Sequence, residues 1–247
     1  MNLKLFEQAL AAPGDCDFGE ASYINGINKR ALRSIKDPKF FRIPDTEGMF
    51  GIGTYVHDDN AYILFSVDYN ASDNRDRAKY LAAIQLEPLN DKFKLSRLGF
   101  NNIYKVSGVE TDKKERYKGF GFLLYTLLLT EYKMDIVGDH IQYDGARNLW
   151  KKLSQTNGIE VSVINITNNN IYRDLTLDSN LEPNVWTGIN RFNDIITKAK
   201  HLKTKADIKA EKVGKNLRLI SKNISYKPRI KWLSSTESSK YIKSLKL

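Results

Sequence analysis

Arg116-Tyr117-Lys118-Gly119-Phe120-Gly121 forms an R-x-x-G-x-G stretch that runs straight into Phe122-Leu123-Leu124-Tyr125-Thr126-Leu127-Leu128-Leu129. The chemistry such a stretch can do is anion binding. Glycines let backbone N–H groups approach a ligand closely, and the N-terminus of the following helix favours negative charge. A β-like run, Asn102-Ile103-Tyr104-Lys105-Val106-Ser107-Gly108-Val109, precedes the turn. Backbone N–H groups from Tyr117 to Gly121 would then face a bound phosphate, with the basic Arg116 and Lys118 beside it. The pattern is not a dinucleotide-binding fingerprint, because its third glycine position holds Leu124, nor a P-loop, because no Gly-Lys-Ser/Thr follows.

Other chemistries find little support. Cys16 is the single cysteine, so no internal disulfide forms, and its neighbours Asp15 and Asp17 disfavour a thiolate. His57, His140 and His201 show no metal-ligand spacing, and no G-x-S-x-G elbow marks a serine hydrolase.

The glycine turn needs a strand before it and packed helices after it. The stretch 134–139 suits a short strand, and 144–153 suits an amphipathic helix with Ala146, Leu149, Trp150 and Leu153 on one face. Upstream, 2–12 and 20–36 have helical spacing. Strands are expected over 48–57 and 61–69 across an Asp58-Asp59-Asn60 turn, and over 79–86, ended by Pro88. Residues 73–76 read as a turn, and 93–100 fit a strand or a connector. Residues 159–166 and 171–177 alternate apolar and polar and read as a hairpin.

The strand, R-x-x-G-x-G turn and helix resemble the acyl-CoA pyrophosphate loop of the GNAT acetyltransferase superfamily, whose signature is (Q/R)-x-x-G-x-(G/A). The segment from Ala146 through Trp150 and Leu153, with Gly158 beyond it, resembles the family's A-x-x-x-(Y/F)-x-x-x-G helix. The segment Asp139 to Trp150 also looks like a D-x-x-Q-x-x-x-A-R-x-x-W pattern of GNAT-like bacteriophage proteins. The resemblance covers roughly residues 48–178. It implies an α+β (α/β/α) fold with a mixed, mostly antiparallel sheet flanked by helices, the N-terminal helices roofing an acceptor site. It implies acetyl-CoA or another acyl-CoA as cosubstrate and an acyl transfer to an amine. Val109 would offer strand-edge backbone to the pantetheine arm, and Asn148 and Lys152 would lie near the cofactor's distal half; both also suit an exposed helix face. The family commonly uses a strand glutamate as base and a tyrosine on the last helix as acid. Here the tyrosine position holds Trp150, which donates no useful proton and suits packing. Tyr143 is the substitute acid, and Asp139 or Glu110 the base. Asp144 also suits an N-cap, and His140 a surface loop.

Length allows a sizeable core. With 41% hydrophobic and 28% charged residues the chain reads as globular, and no apolar run reaches the roughly 20 residues a bilayer requires. No signal-peptide layout opens it, so a cytoplasmic setting is expected. The net charge of +10 is uneven: residues 188–247 hold 16 Lys and Arg against 4 Asp and Glu, residues 1–187 hold 23 against 25. The expected organisation is therefore a GNAT-like acyltransferase domain over 1–187 and a basic, partly helical extension over 188–247. Ile189, Phe192, Ile196 and Ala199 begin a helix there, running to about 212 and studded with lysines. Residues 227–232 read as irregular, with Tyr226 and Trp232 as stacking platforms for DNA or RNA. The expected function is an acyl-CoA-dependent N-acyltransferase, its acceptor plausibly nucleic-acid-associated. The alternative is a catalytically inactive GNAT-like binding or virion-associated protein whose basic region holds nucleic acid or an acidic partner.

Overall fold

The computed structural model of the chain describes residues 35–55, 58–68, 78–89, 95–112, 118–138, 144–165, 171–172 and 217–245. Ten strands lie within them: β1 (Ile35–Arg42), β2 (Met49–Tyr55), β3 (Asp58–Val67), β4 (Ala78–Pro88), β5 (Ile103–Thr111), β6 (Asp135–Val137), β7 (Ile159–Asn165), β8 (Ile171–Tyr172), β9 (Leu217–Asn223) and β10 (Lys231–Trp232). Three α-helices accompany them: α1 (Phe120–Thr130), α2 (Asp144–Ser154) and α3 (Ser235–Leu245). The strands make one sheet in the order β10-β1-β2-β3-β4-β5-β6-β9-β7-β8. Every pairing is antiparallel except β5 with β6, which α1 joins as a crossover. The class is α+β, with a mixed, mostly antiparallel sheet.

Both faces of the sheet are covered, which explains why β2 to β4 read as nearly unbroken apolar runs. On one face α1 and α2 bury Leu81, Ala82, Ile84 and Leu86 of β4 with Val161 and Val163 of β7. Phe122 to Thr130 of α1 are all buried, so this helix is apolar on every side and lies at the centre. Its two threonines bond within the helix: Thr126 Oγ1 donates to Leu123 O at 2.9 Å and Thr130 Oγ1 to Thr126 O at 2.7 Å. On the other face, Tyr241 and Ile242 of α3 pack against a cluster of Phe40, Ile63, Phe65 and Tyr80. A 3-10 turn, Leu95–Leu98, and Phe100 cover Val137, Ile164 and Ile220.

Several expectations need correcting. The helix read over 20–36 lies mostly outside the described residues, but its last two residues open β1. Lys36-Asp37-Pro38-Lys39 looks like a turn, and the register does break there, with Asp37 at φ 49. Asp58-Asp59-Asn60 is not the hairpin turn; it starts β3, with Asp58 opposite Tyr55. The undecided segment 93–100 holds the 3-10 turn. The expected helix over 188–212 and the turn at 73–76 lie outside the described residues.

The C-terminal region departs furthest from the picture of a basic extension. Leu217–Asn223 runs through the sheet as β9, between β6 and β7, and Lys231–Trp232 extends its far edge beside β1. Tyr226 and Trp232 are half-buried against the main core, with the Trp232 ring edge-on to Phe41 at 5.2 Å, so neither ring is a free stacking platform. Ser234 caps α3: its Oγ accepts from Glu237 N–H at 3.3 Å while the Glu237 carboxylate accepts from Ser234 N–H at 2.9 Å.

Candidate functional site

The parallel pair β5 and β6 positions the site. Pairing between them covers Ile103↔Asp135, Tyr104↔Ile136 and Lys105↔Val137, and then β6 ends. From Val106 to Thr111, β5 is bonded to β4 alone among the described residues. Asp112 N–H donates to Leu81 O at 2.9 Å, so Asp112 faces β4. Strand alternation then turns the N–H and C=O groups of Val109 and Thr111 toward the open edge. A bulge at Ser107, where Gln85↔Gly108 is followed by Leu86↔Val106, fixes this phase. Without that extra residue the two sets of groups would exchange edges.

Helix α1 begins beside this edge. Gly119 is its N-cap at φ 83 and ψ 7, a left-handed conformation in which glycine carries no Cβ penalty. Among the described residues no side chain caps the helix end at Gly119 and no acid stands in the first turn, so the leading N–H groups carry the partial positive charge of a helix N-terminus. Gly121 looks directly at β5: a Cβ there would meet Thr111 Oγ1 at 3.5 Å. Among the described residues, the N-terminus of α1 and the edge of β5 that faces away from β4 therefore lie side by side. Together they offer N–H donors to an anion and a ladder of backbone groups to an extended polar chain.

Lys118 is exposed at the rim, and Phe120 is half-buried, tilted against Phe50 at 6.1 Å. From α2, the Lys152 ammonium lies 4.6 Å above the ring of Phe122, in the first turn of α1. Burial lowers its pKa from the usual lysine value. It thus holds a cation near the α1 N-terminus rather than in bulk water. Asn148 is half-buried one turn before it. Arg116 and Tyr117 lie outside the described residues, as do Asp139, His140 and Tyr143.

Glu110 points to the face opposite α1. Its neighbours Val109 and Thr111 share the α1 side, whereas the Tyr80 hydroxyl, from the α3 side, donates to the Glu110 carboxylate. Tyr80 is 5% exposed, and its pKa is raised by burial first and then by Glu110 and Asp112, so the phenol stays protonated and keeps the carboxylate oriented. Sequence reasoning missed Tyr80; its cross-strand position is visible only in the register. Trp150 is buried, its ring edge-on to Tyr125 at 6.0 Å. It packs α2 onto α1 and has no route to a leaving group.

Among the described residues no cluster of His, Cys, Asp and Glu could hold a metal ion, and no helix is long and apolar enough to cross a membrane. Comparisons with protein-family models, with curated proteins and with solved structures gave no match to this chain.

Proposed function

We propose that the protein is an acyl-CoA-dependent N-acyltransferase of the GNAT type, built on the cleft between the open edge of β5 and the N-terminus of α1. The observation that carries this reading is the adjacency of the two features, with Gly121 facing Thr111. A nucleoside pyrophosphate joined to a pantetheine amide chain has an anion at one end and peptide-like groups along the other. The proposed cleft would offer matching parts: the N–H groups of Phe120 and Gly121 at the helix start, and the backbone of Val109 and Thr111. Lys118 and Lys152 supply charge at the anionic end.

The cosubstrate supplies an activated thioester carbonyl. Glu110, held by the Tyr80 hydroxyl on the opposite face of the sheet, takes the proton that an acceptor ammonium must lose before its nitrogen attacks. The C–N bond forms as the C–S bond breaks. Trp150 gives the departing sulfur no proton, so that proton comes from water or from Tyr143. The same burial of Trp150 favours a second reading, a binding module on this scaffold that holds acyl-CoA without turnover. Thiol release in the presence of amines separates the two.

The test is calorimetric titration of acetyl-CoA and desulfo-CoA into the full chain. Micromolar binding of acetyl-CoA supports the site. A folded protein that binds neither compound refutes it.

A further inference from the structure

Lys227-Pro228-Arg229-Ile230-Lys231-Trp232 alternates cation and apolar residue without a break. Lys227, Arg229 and Lys231 are exposed, while Pro228, Ile230 and Trp232 are half-buried. The apolar set explains the phase: Ile230 and Trp232 pack on the main core. Burying that set turns all three cations outward on one side of the segment. Ile230 N–H donates to Pro228 O at 2.9 Å, a tight turn centred on Arg229 that pushes this side chain further out. The row ends on β10, the outer strand of the sheet.

Arg42 of β1 pairs in register with Lys231, two like charges directly opposite each other. Such a pair opposes strand pairing unless something anionic lies across it. Two acids are near. Asp45 meets Arg229 at 3.1 Å, but both side chains are mostly exposed, so the pair is worth about 0–1 kcal/mol. Glu237 feels Arg42 and Lys231 but is committed to capping Ser234. Among the described residues, four cations stand against these two acids, which leaves this edge positive.

We propose that the edge formed by Arg42, Lys227, Arg229 and Lys231 docks the phosphate backbone of a single-stranded nucleic acid. A line of cations along a sheet edge fits a linear polyanion, phosphate after phosphate, better than it fits a plane of lipid headgroups. Contacts of this kind hold any sequence. The inference does not rest on acyl-CoA binding: the edge is built from residues outside the β5–α1 cleft.

The experiment is fluorescence anisotropy of a labelled oligothymidylate of about 20 nucleotides with the full chain, over roughly 0.05–0.2 M NaCl. Wild type is compared with Lys227→Gln/Arg229→Gln/Lys231→Gln and with Arg42→Gln. The wild type should bind with log K falling linearly in log salt. The triple variant should bind at least tenfold more weakly at about 0.1 M salt, with a slope shallower by about 2, and Arg42→Gln should show a smaller loss. All four residues are exposed and neutralising Arg42 or Lys231 relieves a like-charge pair, so unfolding midpoints should equal or slightly exceed wild type, and acetyl-CoA titration of the variants reads the other site separately. Unchanged oligonucleotide affinity and slope in the triple variant would overturn the proposal, leaving binding to other lysines. So would no oligonucleotide binding by the wild type, including the case where phosphatidylserine vesicles bind instead.

Discussion

Gly121→Glu should leave the protein at least as stable as wild type and abolish acyl-CoA binding. The two effects come from the same spot. A Cβ at position 121 has one neighbour within 4 Å, Thr111 Oγ1 at an ordinary 3.5 Å, so the side chain enters without a clash. Glycine within a helix costs up to about 1 kcal/mol against a good helix former. An acid in the first turn, where none stands now, adds about 0.3–1 kcal/mol through the helix dipole. The sum predicts a gain of roughly 0.5–1.5 kcal/mol, a rise in Tm of about 1–5 °C for a chain of this size. For the ligand the sign reverses. A carboxylate about 6 Å from a phosphate, at an effective dielectric of about 20, costs near 3 kcal/mol per unit charge. That is a loss of at least roughly 100-fold in Kd. Gly119→Ala is the contrasting variant: at φ 83 an L-residue pays about 1–2 kcal/mol, so stability falls and binding weakens with it. Calorimetry and thermal unfolding on the same samples read both. Folded Gly121→Glu protein that binds acetyl-CoA like wild type would show that the α1 N-terminus is not the anion site. A fall in its Tm would refute the claim that this terminus is uncapped.

Three further predictions concern the scaffold. The Asp135 carboxylate accepts from Asn101 N–H at 2.6 Å; burial raises its pKa to about 6, with Glu160 adding to the rise and Asn101 and Lys222 opposing it. A folded-state pKa above the usual carboxylate value means the stability contribution is full below about pH 3.8 and is lost as pH rises through about 6. Asp135→Asn should therefore stabilise by about 1–2 kcal/mol at pH 8, discounted for partial exposure, and the gain should vanish by pH ~4 in urea titrations; a constant gap would refute it. Gly158 has φ 88 and its carbonyl accepts from Ile224, Ser225 and Tyr226, while a Cβ would fall onto Tyr226 N and 2.9 Å from Ser225 C. Gly158→Ala should cost about 3 kcal/mol or more, read as a Tm drop of roughly 6–12 °C, because backbone cannot rotate aside as a side chain can. Trp150→Ala should cost about 3–5 kcal/mol, whereas any loss of turnover beyond the unfolded fraction would contradict a packing role.

The backbone geometry at the proposed site was legible where it is set by neighbouring residues. R-x-x-G-x-G between a strand and an apolar run gives a glycine N-cap and an uncapped helix, since φ 83 at Gly119 and the absence of a first-turn acid are written in adjacent residues. The packing role of Trp150 was also legible, from its position on the apolar face of α2. What depends on partners distant in sequence was not. Lys36-Asp37-Pro38-Lys39 disguises β1 because its charges sit at a register break. Leu217-Arg218-Leu219-Ile220 gives β9 too short a pattern to weigh against the surrounding lysines. Its strand identity comes from β6 and β7, some 80 and 60 residues earlier, whose two edges it joins. Charge counts over 188–247 averaged a buried strand with its surface neighbours and so concealed that this region is partly core. The capping box at Ser234 and Glu237 was a local signal for α3 that a reading of the tail as basic passed over.

The location of the cleft follows from topology more than from the glycines. A crossover through α1 makes β5 and β6 parallel, and the whole of β6 pairs with only the first three residues of β5. β6 is three residues long, and among the described residues nothing pairs with β5 beyond Lys105 on that side. The loop leaving β5 has to return to begin α1 over the same end, which brings the helix N-terminus to the exposed edge. Lengthening β6 would close the edge whatever the turn sequence, and a capped turn would remove the anion site whatever the edge. The insertion of β9 on the other side of β6 keeps that short strand in the sheet: it bonds Ile136↔Ser221 and Val137↔Ile220, and Gly138 N–H donates to Leu219 O at 2.8 Å. Truncation before Leu217 should therefore weaken acyl-CoA binding even though no residue after 216 touches the cleft in the reading above. A truncated chain, folded by its near-ultraviolet dichroism, that binds acetyl-CoA with wild-type affinity would show that β6 holds its place without β9 and would refute this coupling.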